Sequence, residues 1–172
     1  GKRQVTNKEI YRPNVAIIIL NKEGKSLWCR RKQHDGWQFP QGGIDDGETP
    51  LEAVLRETEE EVGLKESDIN ILFENTDWIN YQVPLSRRPS YFSINKGFVG
   101  QAQKWFLAEL KSDESAINLN SSSPIEFDKW EWVPYWYSLE ASVPFKKEAY
   151  RKALTDLLPA YLAFSENRKK LK

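Results

Sequence analysis

Apolar and polar positions along the chain fall into segments of two different periods. Val15-Ala16-Ile17-Ile18-Ile19-Leu20 is continuous, apolar and rich in β-branched residues, the pattern of a strand buried on both faces. Asn21-Lys22-Glu23-Gly24-Lys25 has turn chemistry, so residues 26–31 read as the return strand of a hairpin. A glycine-rich loop spans 36–47, and strand-like segments recur at 69–74, 78–83, 104–110 and 129–133. Residues 87–100 read as a long loop and 118–124 as a polar one. From 145 to about 164, Ala149, Tyr150, Ala153, Leu154, Leu157 and Leu158 recur at helical spacing, with Pro159 placed to kink or end the helix. There is no internal repeat. The economical architecture is one mixed sheet flanked by helices, a single domain of α/β (α+β) class.

The strongest helix lies between residues 49 and 63. Thr49 suits the N-cap, Pro50 the first helical position, Glu52 a capping box and Gly63 the left-handed end. At about 100° per residue, Leu51, Leu55, Thr58 and Val62 form the expected buried stripe. Glu57, Glu60 and Glu61 stand at i, i+3 and i+4 on a neighbouring face, where like charges repel. A hard divalent cation such as Mg²⁺ or Mn²⁺ would collect them, and Ala53, one turn earlier, would leave it room. Arg56 is spaced to pair with Glu52 and Glu60. A solvated acidic face would show the same spacing, so the helix alone leaves both readings open.

Composition narrows the classes. The 172 residues hold 25 Lys+Arg against 25 Asp+Glu, one histidine (His34), one cysteine (Cys29) and no methionine. One cysteine excludes a disulfide framework, and with one histidine it excludes a Cys/His zinc cluster; the expectation is a reducing, cytoplasmic setting. No apolar run approaches the ~20 residues of a bilayer span. Zero net charge hides a segregation. Residues 42–64 carry eight carboxylates against Arg56 alone, while 145–172 carry eight Lys/Arg against Glu148, Asp156 and Glu166. That predicts a cation near the first segment and an anion near the second. The tryptophans, with Trp130, Trp132 and Trp136 clustered, read as core; His34 reads as a loop residue and Cys29 as a packed strand residue. No serine nucleophile elbow or P-loop occurs.

The helix and its flanks satisfy Gly-x5-Glu-x7-Arg-Glu-x-x-Glu-Glu-x-Gly-apolar, with Gly42, Glu48, Arg56, Glu57, Glu60, Glu61, Gly63 and Leu64 at the fixed positions. This pattern resembles the Nudix box, the loop–helix–loop signature of hydrolases acting on nucleoside diphosphates linked to another group. Thr58 departs from it, at a packing position. The resemblance implies an α/β/α sandwich around a mixed sheet over residues 11–164, with an extension at 1–10 and a basic tail at 165–172. It also implies metal ligation by Glu57, Glu60, Glu61 and the Gln41 carbonyl, with more than one Mg²⁺ or Mn²⁺ ion. Outside the box, Tyr11-Arg12-Pro13-Asn14-Val15, Trp37-Gln38-Phe39-Pro40-Gln41, and segments at 100–106, 126–132 and 143–150 resemble Nudix enzymes that trim RNA 5′ ends.

By that resemblance the substrate is 5′-triphosphorylated RNA, cut to pyrophosphate and a 5′-monophosphate to initiate decay. Arg12 and Arg31 would contact phosphates, and Glu126 would be a further metal-binding or catalytic carboxylate. Val143, Phe145 and Lys146 would hold a base, with Tyr81 lining the same cleft. No membrane and no obligate protein partner are implied. Two alternatives stay open: a hydrolase of dinucleoside polyphosphates that releases ATP, and a catalytically inactive scaffold that binds nucleotides.

Overall fold

The computed structural model describes residues 9–94 and 97–170. Two long strands, β1 (Ile10–Leu20) and β7 (Phe98–Leu110), run parallel at the centre of a mixed sheet. Each changes neighbours halfway along. The first half of β1 pairs with β4 (Gln41–Gly43), and its end pairs with β2 (Ser26–Arg31), which carries β3 (Trp37–Gln38) and β8 (Phe127–Val133). The first half of β7 pairs with β6 (Ile79–Gln82) and its second half with β5 (Ile69–Glu74). The sheet therefore splays where β4 and β6 flank the strand beginnings, and a cleft opens there.

The apolar run of β1 is continuous because helices cover both faces. Val15, Ile17 and Ile19 pack with Leu27, Val54, Val62 and Phe106 beneath α1 (Pro50–Val62). Ala16, Ile18 and Leu20 pack with Trp28, Trp105, Tyr150 and Leu154 beneath α4 (Lys147–Lys170), which follows the short α3 (Ser138–Ala141). The result is the α/β/α sandwich, with the core split by one sheet into two layers. Among the described residues no helix is long and apolar enough to cross a membrane.

Several elements differ from their sequence reading. The glycine-rich loop contains β3 and β4, and the long loop at 87–100 contains α2 (Ser90–Ile94) and the start of β7. The stripe of α1 is rotated: Leu51 is exposed and Leu55 half-buried, while Ala53, Val54, Thr58, Glu61 and Val62 are buried. The strands beneath α1, not its own periodicity, choose the face. Ala53 accordingly fills core space rather than clearing room for an ion. Pro159 does not end α4. Leu157 before it and Tyr161 and Phe164 after it pack on the same layer, which offsets a cost of about 3 kcal/mol for an interior proline. The helix runs on to Lys170, and the Arg168 guanidinium donates to the Lys22 carbonyl, so most of the expected tail at 165–172 is helical. Residues 1–8 of the expected extension lie outside the described residues, and Ile10 already belongs to β1. Of the tryptophan cluster, Trp130 and Trp132 pack edge to face at 5.6 Å, whereas Trp136 is exposed.

Candidate active site

Local sequence sets the acidic wall of the cleft. Thr49 and Glu52 form the reciprocal capping box, each accepting the other's backbone N–H at 3.1 Å, and Gly63 ends α1 in the left-handed region (φ 75°). Glu52 is thereby taken from Arg56. The Arg56 guanidinium instead grips Glu48 through two bonds (2.7 and 2.9 Å), and reaches Glu57 (2.8 Å), Glu60 (3.4 Å) and the Gly43 carbonyl (2.9 Å). It ties the loop before α1 to the helix face. That grip holds Glu48 down to about 2.

Glu57 and Glu61 face the cleft, Glu57 paired with Arg56 and Glu61 without a cation of its own. Burial, partly offset by Arg56, raises the Glu57 carboxyl above its ordinary value. Burial raises Glu61 well above it, with Glu57 and Glu126 adding repulsion, although Glu61 accepts the Gln41 backbone N–H at 3.0 Å. Glu126, exposed on the loop before β8, closes the group from the other side. Glycine opposite this wall leaves room for the site's side chains. A Cβ on Gly42 would overlap the Glu57 carboxylate, and one on Gly43 would overlap the Arg12 guanidinium.

A row of amides floors the cleft. Gln103, fully buried in β7, donates to Asn14 (2.9 Å) and to the Gln41 side chain (3.2 Å), and accepts from the Trp105 indole (3.1 Å). Asn14 Nδ2, Gln101 Oε1 and Arg31 Nε are buried without a protein partner, and all three residues line the cleft. Such polar atoms suit a ligand with matching donors and acceptors. The far wall holds Tyr81, buried and pushed up to about 12, with its ring 6.1 Å from half-buried Phe145. Lys146 donates to Gln38 at 3.1 Å; burial, with Arg31 and Arg87 nearby, pulls its amine down to about 7. Arg12 sits 4.9 Å from the Tyr91 ring, donating to its hydroxyl at 3.4 Å.

The cleft thus brings together Arg12, Arg31, Gln41, Glu57, Glu61, Tyr81, Glu126, Phe145 and Lys146 in about 260 Å³. It leaves out Glu60, half-exposed beside Arg56, and Val143, which packs behind the wall against Gly36. Among the described residues no three His, Cys, Asp or Glu side chains form a ready-made metal cage. The donor set nevertheless fits Mg²⁺ or Mn²⁺: hard carboxylate oxygens, two of them on groups whose charged form is only partly compensated. Of the described cations in the basic segment 145–172 only Lys146 lines the cleft, so the anion-facing cations come largely from elsewhere. Sequence reasoning missed Asn14, Gln38, Gln101 and Tyr91. The alternation of Gln101 and Gln103 with apolar neighbours at the start of β7 was a usable signal for the floor; Tyr91 had none.

The profile of the Nudix domain matches residues 10–156. RNA pyrophosphohydrolase of Francisella tularensis subsp. mediasiatica is 48% identical over 87% of this chain and 94% of its own. The enzyme of that name from Photobacterium profundum is 45% identical over 93% and 91%. Among solved structures, dihydroneopterin triphosphate pyrophosphohydrolase of E. coli superposes with a TM-score of 0.66 at 17% identity, covering 86% of this chain and 99% of that one. An Ap4A hydrolase of C. elegans does so at 0.57 and 19%, covering 87% and 98%. These two likenesses bear on the fold. Box, sandwich and profile agree: the chain belongs to the Nudix family of hydrolases.

Proposed function

We propose that the protein hydrolyses the 5′-triphosphate end of RNA, releasing pyrophosphate and leaving a 5′-monophosphate. The observation that carries this reading is a single cleft joining a carboxylate wall to an aromatic and lysine wall, with Arg12 and Arg31 between them. Such a cleft suits a phosphate chain attached to an unpaired base. Relatives 45–48% identical and named RNA pyrophosphohydrolase support the substrate.

Glu57, Glu61 and the Gln41 carbonyl, with Glu60 and Glu126, would hold Mg²⁺ or Mn²⁺, more than one ion. When bound, the metal neutralises phosphate charge, polarises phosphorus and acidifies a water. The chain's own residues do the rest. Arg12 and Arg31 grip phosphate oxygens by forked hydrogen bonds, and Arg12 is held for this by Tyr91 and Gly43. Phe145 stacks on a base whose edge meets Lys146. A water oxygen attacks phosphorus, the anhydride bond to the pyrophosphate breaks, and a carboxylate of the acidic wall takes the water's proton. With one cysteine, buried in β2, the chain suits a reducing cell interior.

Competing turnover by one preparation tests the substrate. Triphosphorylated RNA should be consumed at least as fast as diadenosine tetraphosphate. Dinucleotide turnover faster by orders of magnitude would instead make the protein a dinucleoside polyphosphate hydrolase.

A further inference from the structure

The cleft encloses about 260 Å³, below the roughly 300–1,000 Å³ usual for small-molecule sites, so it takes a phosphate chain and little more than one nucleotide. It does not end blindly. Past Arg31, Arg87 and Phe145 it opens into a second hollow of about 840 Å³, between the loop at 32–35 and the segment at 86–91. The two hollows share Arg31, Arg87, Tyr91, Phe145 and Glu126, so a chain leaving one enters the other.

The second hollow is lined by Arg31, Lys32, Arg87 and Arg88 against only two carboxylates, Asp35 and Glu126. Among the described residues none of these four cations forms an ion pair, whereas Arg30, Arg56 and Arg151 all do. Arg88 spends one donor on the Val83 carbonyl (2.8 Å), which pins the segment and leaves its other N–H groups uncommitted. Arg31 brings a buried, unpartnered Nε to the junction. Clustered cations without counter-charges mark an anion's path, and the half-exposed rings of Tyr91 and Phe145 stand where unpaired bases would pass.

We propose that this hollow is a second, sequence-independent subsite that takes the phosphodiester backbone of single-stranded RNA beyond its first two nucleotides. It rests on the RNA reading above. A dinucleoside polyphosphate has no such backbone and would leave the hollow unused.

The test compares a triphosphorylated RNA of about ten nucleotides, a triphosphorylated dinucleotide and diadenosine tetraphosphate, using parent and Lys32→Gln/Arg88→Gln protein. On the long RNA the variant should lose roughly tenfold in kcat/KM at low salt. Its plot of log kcat/KM against log salt should flatten by about 1.4, at ~0.7 per lost contact to single-stranded phosphate. On the two short substrates it should match the parent. Equal loss on all three substrates, or no loss on the long RNA, overturns the subsite while the RNA reading stands. A parent that cleaves diadenosine tetraphosphate but neither RNA overturns that reading and the subsite with it. Because Arg88 also anchors its segment, Lys32→Glu alone, a charge reversal at an exposed side chain, must show the same selective loss on the long RNA.

Discussion

The two ends of the cleft are assembled differently. Apart from Glu126, the acidic wall comes from one stretch, residues 41–63, in which a capping box, a terminal glycine and an arginine clasp hold the helix carboxylates. The opposite wall draws Arg12 from β1, Arg31 from β2, Tyr81 from β6, Tyr91 from α2, and Phe145 and Lys146 from a 3₁₀ turn before α4. One end is local structure that happens to face a cleft. The other exists only because β1 and β7 run side by side and splay their partners. An end built locally should keep its geometry when one side chain changes, so losses there report chemistry. An end built from distant pieces mixes binding with packing, and its variants must be read on several substrates.

The largest effect is expected at the local end. Glu57→Gln should lower kcat by at least ~10² at saturating Mg²⁺, because the carboxylate is needed for a cation worth several kcal/mol to the transition state. The metal-free melting temperature should hold or rise, since Glu57, Glu60 and Glu61 repel. Glu60→Gln sharpens the comparison: a similar loss would place this half-exposed residue with the ligands, and near-normal turnover would remove it. Next in size, Phe145→Ala should cost about 1–3 kcal/mol in kcat/KM on RNA and much less on a substrate lacking the stacked base. Its ring also packs on the α4 layer, so equal loss on every substrate with a lowered melting temperature would make it a packing residue only.

The smallest effect concerns pH. Lys146 titrates near 7 in the folded chain against 10.5 in the unfolded one, because burial disfavours its charge. Between those values the unfolded chain holds a proton that the folded chain has released. Stability attributable to this group therefore rises with pH from about 7 to 10.5, and the full cost is present below 7. Lys146→Met should melt higher than the parent at pH 6, by about 2–4 °C for each kcal/mol, with the advantage shrinking toward pH 10. Equal melting differences at both pH values would mean that Lys146 keeps its proton in the folded protein.

Much of this molecule is written in local residue types. The alternation of β1 into two core layers, the hairpin turn before β2, both ends of α1, and the carboxylates of its cleft-facing side follow from sequence neighbours and elementary sterics. The rotation of α1 that buries Ala53 and exposes Leu51 does not, because a helix with apolar residues on several sides is oriented by what lies under it. Nor does the survival of α4 past Pro159, where packing on both sides outweighs a local penalty.

The site divides along the same line. Box spacing alone marked Glu48, Arg56, Glu57, Glu60 and Glu61, since i, i+3 and i+4 positions share a helix face whatever the rest of the chain does. Charge counts pointed instead to residues 145–172 for the anion-binding side, and of the described cations there only Lys146 reaches the cleft. The other cations that line it, Arg12, Arg31 and Arg87, lie far apart in the sequence and meet only in three dimensions. Local interactions are decided within a turn or two of chain, so the sequence by itself determined the helical part of the acidic wall and the layered core. The opposite wall depends on strand pairing between residues about 90 positions apart, and only the tertiary structure decided it.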